Sequence, residues 1–168
     1  MQICDEGNGI TRGKSTAATR AGDRSDKSPI EISHKRIETV IEYRKAEPRD
    51  LDRVGQLLAK NGWEKRVADA ERFRKMIENA GRTVVAIESA EIVGFARALC
   101  DEVSNGYIGT VVVAESKRGQ GIGREMVDHL MGNDPNITWV LRAGRGSEEF
   151  WTKMGFSASA IAMERTRQ

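Results

Sequence analysis

Val111-Val112-Val113-Ala114-Glu115-Ser116-Lys117-Arg118-Gly119-Gln120-Gly121-Ile122-Gly123-Arg124 runs from an apolar, β-branched stretch through a basic, glycine-rich turn. Beyond it the period changes: Ile122, Met126, Val127, Leu130 and Met131 fall on one helical face. The unit reads as buried strand, Gly-rich loop, helix. Inside a helix each glycine costs about 1 kcal/mol relative to alanine, so three of them at a helix opening need a reason outside the helix. Bare backbone lets N–H groups approach a ligand closely, and at a helix N-terminus those donors add to the positive end of the macrodipole. Arg118 and Arg124 flank the turn with fixed charge. The combination predicts an anion site suited to a pyrophosphate or a phosphate diester.

Two familiar phosphate loops are excluded by spacing. The dinucleotide-binding fingerprint requires G-x-G-x-x-G and an acidic residue about 20 positions later, whereas Gly119, Gly121 and Gly123 give G-x-G-x-G. A P-loop ends in G-K-[ST], which this turn lacks. Asn8-Gly9-Ile10-Thr11-Arg12-Gly13-Lys14-Ser15 approaches that pattern, but its first glycine is replaced by Asn8 and no apolar strand precedes it.

Outward from the loop, the remaining elements follow from period and punctuation. Val40 to Ala46 alternates apolar and charged residues, as a half-buried strand does. Pro48 and Asp50 are helix-start residues. Leu51, Val54, Leu57 and Leu58 then repeat at helical spacing until Asn61-Gly62. A second helix carries Val67, Ala70, Phe73, Met76 and Ile77 and ends near Asn79-Ala80-Gly81. Thr83–Glu88 and Ile92–Cys100 are β-rich runs with a short polar link, which predicts a hairpin. Gly106–Val113 is a third run, and a further strand is expected near Thr138–Arg142.

Residues 1–36 differ in kind. They are polar and small, with little periodic apolar content, and such a segment buries too little to offset its ordering entropy. We expect a disordered tail there and one domain over residues 37–168. The tail holds seven basic and five acidic residues, leaving twenty of each in the rest of the chain. A neutral domain argues against a broad nucleic-acid footprint, which needs a basic excess. No apolar run approaches the ~18 residues of a membrane span, and the first residues lack a secretory signal's apolar stretch. Cys4 and Cys100 have no metal-ligand spacing and are too few for a disulfide framework, so no metal is expected. These features predict a cytoplasmic protein.

The loop resembles that of the GNAT N-acetyltransferase superfamily. Arg118-Gly119-Gln120-Gly121-Ile122-Gly123 fits the family's acetyl-CoA loop, [QR]-x-x-G-x-[GA]. Downstream, Glu149-Phe150-Trp151-Thr152-Lys153-Met154-Gly155-Phe156 is similar to the family's F-Y-x-K-x-G-F segment, and Tyr43-Arg44-Lys45-Ala46 with Pro48, Asp50 and Leu51 is similar to its opening. The likeness spans about residues 39–168. It implies an α/β (α+β) domain with a mixed, mostly antiparallel sheet of six or seven strands and helices on both faces. It also implies that the strand at 107–113 and the one near Thr138–Arg142 splay apart around the pantetheine arm. Backbone groups of Val111, Val112 and Val113 would bond pantetheine, and Arg118, Gly119, Gln120, Gly121, Ile122, Gly123 and Arg124 would hold the diphosphate. Acetyl-CoA is then the co-substrate.

The implied chemistry is direct acetyl transfer to a primary amine. An amine of pKa near 10.4 is mostly protonated at pH 7, so the site must remove its proton, stabilise an oxyanion and release a thiolate. The strand's N–H groups, Val112 at their centre, are the candidate oxyanion donor. Many members place a tyrosine acid where this chain has Trp151, whose indole N–H donates a hydrogen bond but is no useful acid. Tyr107 lies close to where some relatives carry a glutamate base. Trp151 and Tyr107 are therefore the catalytic candidates alongside Val112. The expected acceptor is a small-molecule or protein amine, and a homodimer fits the family. The alternative is a CoA-binding module with weak or no transfer activity, serving as a sensor or partner. A third reading, some other phosphate-binding domain, has the mismatched fingerprints against it.

Overall fold

Five strands lie side by side in chain order in the computed structural model, which describes residues 40–166. They are β1 (Glu42–Arg44), β2 (Arg82–Glu88), β3 (Glu91–Cys100), β4 (Asn105–Val113) and β5 (Thr138–Leu141). The first four pair antiparallel, and β5 joins β4 in parallel. A parallel neighbour needs a long crossover, which the glycine-rich loop and helix α4 (Ile122–Met131, numbered with the helices below) provide. Helices α1 (Leu51–Leu58), α2 (Glu64–Val67) and α3 (Ala70–Glu78) fill the connection from β1 to β2, and α5 (Glu148–Lys153) follows β5. The expected tail and the Asn8–Ser15 near-match lie outside the described residues.

The period-2 alternation of the strands divides the interior into two layers. Val84, Ala86, Ala96, Ala98 and Ile108 pack against Ile122, Met126, Val127 and Leu130 of α4, together with Trp151 of α5. Val85, Phe95 and Val112 point the other way, onto Val54, Leu57 and Leu58 of α1 and Phe73 and Ile77 of α3. Burial on both faces is why β2 and β3 read as nearly continuous apolar runs. Each fully buried aliphatic or phenyl side chain contributes roughly 1.5–3 kcal/mol.

Among the described residues the sheet has five strands, not the six or seven expected. After α5, residues 157–166 form no strand. Ser157-Ala158-Ser159-Ala160 has low β propensity, and Ile161 and Met163 remain 91% and 99% exposed, so nothing there packs onto the sheet. β1 is also shorter than the alternation of Val40 to Ala46 predicted, because the pairing with β2 covers only Glu42 to Arg44.

An ion pair sets the turn from β1 into α1. Arg44 donates from both terminal nitrogens to the buried Asp50 carboxylate, at 2.6 and 3.0 Å, and the Glu47 N–H donates to it at 2.8 Å. The Arg44 bond, with the Glu47 amide helping, holds the Asp50 carboxyl below the usual carboxylate range against the effect of burial.

One irregularity positions the site. Arg97 of β3 pairs with Thr110 while Ala98 pairs with Ile108, so Gly109 is an extra residue in β4, a β-bulge. The β4–β5 ladder ends at the same place, its last pair being Ile108 with Leu141. Among the described residues, β4 from Gly109 to Val113 has a neighbour only on its β3 side.

Candidate functional site

The exposed stretch of β4 presents specific backbone groups. Ala114 N–H donates to the Val93 carbonyl at 2.8 Å. Because backbone groups alternate sides along a strand, those of Val112 also face β3, opposite Phe95. Val111 and Val113 instead turn their N–H and C=O toward the open edge, and Arg118 Nε donates to the Val113 carbonyl there at 3.2 Å. The Val112 amide, expected as an oxyanion donor, thus belongs to the sheet ladder. The Val112 side chain is 6% exposed and packs on the α1 and α3 layer.

The glycine-rich loop meets the same edge. Gly119 and Gly121 have φ of 76° and 83°, and a Cβ on either would touch nothing within 4 Å. Glycine is needed for the left-handed backbone, not for room. Gly121 is the N-cap of α4 and, having no side chain, caps nothing. The Arg118 amide bonds the Glu115 carbonyl, but among the described residues the amides from Gly119 to Gly123 have no acceptor. Orphan donors at a helix start take water or an anion. Ile122, 1% exposed, anchors the loop in the core, so its contribution to a ligand is its amide. The Gln120 side chain folds back onto the Ser116 carbonyl at 3.3 Å.

Both flanking arginines are oriented by neutral acceptors. Arg118 also donates to Asn61 Oδ1 at 2.6 Å, bridging the loop to the kink after α1, where Gly62 has φ of 85°. Arg124 donates to the Lys153 carbonyl at 2.8 Å. Neither forms an ion pair with a described carboxylate, so their charge stays available beside the orphan amides.

Trp151 lies elsewhere. It is 9% exposed and meets Phe150 and Phe156 edge-on, with ring centroids 4.9 and 5.4 Å away. That aromatic trio belongs to the layer under α4, so Trp151 supports the loop's helix. Tyr107, 39% exposed, sits on β4 just before the bulge. A Cβ placed on Gly109 would lie 2.7 Å from Arg97 Nη2 and 3.5 Å from Tyr107 Cε1, so these two side chains meet over Gly109. Arg66 of α2 approaches the Gly109 carbonyl at 3.5 Å and stacks 4.4 Å above the Trp63 ring.

Arg97 has no place among the expected site residues. The available signal was a charge inside the apolar run Ile92–Leu99. A cleft of about 240 Å³, lined by Arg44, Arg82 and His129 among others, lies at the opposite end of α4 from the loop. Among the described residues no helix is long and apolar enough to cross a membrane.

The GNAT acetyltransferase domain matches residues 42–166. No curated protein matches the chain in sequence. A GNAT-family acetyltransferase from Streptococcus pneumoniae superposes with TM-score 0.61 at 22% identity, over 76% of this chain and 100% of its own. Glucosamine-6-phosphate N-acetyltransferase from Arabidopsis thaliana gives TM-score 0.59 at 21% identity, over 77% and 99%. AAC(6')-Iy, bound to the bisubstrate analogue CoA-S-monomethyl-acetylneamine, gives TM-score 0.63 at 16% identity, over 77% and 100%. At these identities the structural likeness speaks for the fold, whereas the domain match takes in all five strands, the loop and α5, and on it the chain belongs to the GNAT acetyltransferase family.

Proposed function

We propose that the chain is an acetyl-CoA-dependent N-acetyltransferase acting by direct transfer in a ternary complex. The observation that carries this reading is the pair of backbone surfaces side by side: the amides from Gly119 to Gly123, which have no acceptor among the described residues, and the open edge of β4 at Val111 and Val113, where Arg118 already holds the Val113 carbonyl. The residues fit the ligand. Amides at the start of α4, with Arg118 and Arg124, suit a diphosphate. Backbone groups of Val111 and Val113 suit the amides of a pantetheine arm, which would add to β4 as a strand does. Acetyl-CoA supplies the activated acyl group.

In the reaction, the amine nitrogen bonds to the thioester carbon, the carbon–sulfur bond breaks, the amine proton passes to water, and CoA leaves as a thiolate. The Val111 N–H is the oxyanion donor in this reading, replacing Val112, since it alone of the two faces the open edge. Holding the two reactants together supplies up to ~7–11 kcal/mol. A general acid adds typically 10²–10⁴-fold, and with Trp151 in the core this chain relies on positioning and on the leaving ability of the thiolate. The acceptor is a small-molecule or protein amine, and the protein works in the cytoplasm.

Calorimetry with acetyl-CoA and thiol release in the presence of an amine panel test the reading together. One-site binding that weakens at least tenfold on Arg118→Glu with Arg124→Glu, plus amine-dependent thiol release, is expected. Absence of heat with acetyl-CoA overturns it. Binding without release on any amine favours the CoA-binding module, for which the core placement of Trp151 is the supporting observation.

A further inference from the structure

The sheet face that carries α1 and α3 buries an arginine without a counter-charge. Arg97, in the middle of β3, is 9% exposed, and among the described residues its side chain has no hydrogen bond or ion pair; its Nε is sealed from solvent with no acceptor. Arginine stays ionised in proteins, and a charge held out of water without a partner is strongly unfavourable. A bound anion would complete the pairing and remove that cost.

The surroundings are arranged for the guanidinium. Thr110, paired with Arg97 across the ladder, has a buried hydroxyl that also lacks a partner. Position 109 is glycine, and the guanidinium takes the space a side chain there would need, with Nη2 only 2.7 Å from a Cβ position. The terminal nitrogens, unlike Nε, are not sealed. The groups facing Arg97 are Arg66 from α2 and Tyr107 from β4. Burial first, then Arg66, pull its pKa down, only Tyr107 opposes them, and no described carboxylate contributes. The local field therefore calls for an anion.

The location says which molecule brings it. Gly109 lies two residues before Val111, roughly 7 Å along the strand, which is the reach of a guanidinium–carboxylate contact plus the two bonds to an α-amino nitrogen. One guanidinium matches a carboxylate in charge and in planar two-donor geometry. We propose that Arg97 binds a carboxylate of the acceptor, so that the amine acetylated is an amino acid or another amine carrying a carboxylate nearby. The proposal rests on the acetyl-transfer reading above for what happens next, but not for the binding itself.

Paired assays test it: each L-amino acid against its α-carboxamide with acetyl-CoA, and glucosamine 6-phosphate against glucosamine for a phosphate in place of the carboxylate. At least one amino acid should exceed its amide in kcat/KM by roughly 10- to 100-fold. Arg97→Gln and Arg97→Met should bring that ratio close to one, and Arg97→Lys should retain part of it. Equal turnover of acids and amides, preference for the sugar phosphate alone, or a wild-type ratio in folded Arg97→Gln and Arg97→Met overturns the assignment. A second readout needs no turnover: the Nε–H resonance of Arg97 in nitrogen-15 spectra, followed with N-acetyl-amino acids and their amides. Movement with the acids alone supports the carboxylate site even if no amine is acetylated, a result that would sink the acetyl-transfer reading instead. Acetylation of amines with no such movement does the reverse.

Discussion

Gly121 holds a left-handed backbone at the N-cap of α4, with open space around it. Gly121→Ala therefore probes the backbone alone. It should cost about 1–2 kcal/mol of stability from strain and raise the acetyl-CoA Kd at least tenfold, because relaxing the strain re-aims the amides; thermal unfolding and calorimetry read the two effects. Trp151 gives the opposite contrast. Trp151→Ala should destabilise by about 3–5 kcal/mol through the cavity it leaves. Trp151→Phe, which keeps most of the packing, should hold kcat within about threefold, far from the 10²–10⁴ that loss of a general acid costs. A hundredfold fall in kcat for the phenylalanine variant would put the indole at the reacting sulfur.

At the scale of elements, the turn from β1 into α1 depends on Asp50. Its folded pKa lies below the unfolded one, so between the two values the unfolded chain binds more protons and stability rises with pH. The stabilisation is complete above the ordinary carboxylate pKa of about 4 and disappears as pH falls through the folded value. Asp50→Asn should lower stability at pH 7 by about 2–3 kcal/mol and flatten the acid limb of the stability curve below pH 4, as urea titrations at several pH values would show. An acid limb unchanged from the wild type would refute the assignment. The elements themselves were largely legible: the helical period of Ile122 to Met131, the hairpin of β2 and β3, and the stop at Asn61-Gly62 are local patterns, and each is present. The strand count was not legible, because the sixth and seventh strands came from family likeness. Ser157 to Ala160 lacks the β-branched residues that would build them.

For the whole molecule, what matters is which groups the fold leaves unpaired, and that depends on register. The three valines read alike in sequence. Only the pairing of β4 with β3, with its shift at Arg97/Ala98, turns Val111 and Val113 outward and Val112 inward. Arg97 was hidden for the same reason, since nothing local says that a charge in an apolar strand will lie against a bulge glycine with no carboxylate near. The loop, by contrast, carried its meaning in its own residues. If the loop and the β4 edge form one ligand surface, saturating acetyl-CoA at 100 times Kd should stabilise the chain by about 2.7 kcal/mol, visible as a rise in Tm that ATP and NAD do not reproduce.

The central claim is that backbone amides of the loop and of β4 hold acetyl-CoA, and a nitrogen-15 amide titration tests it at the atoms concerned. The largest shifts should fall on Val111, Val113 and Gly119 through Gly123, with Val112 little changed. Shifts confined to the cleft beside Arg44, Arg82 and His129, or none at all, would contradict it.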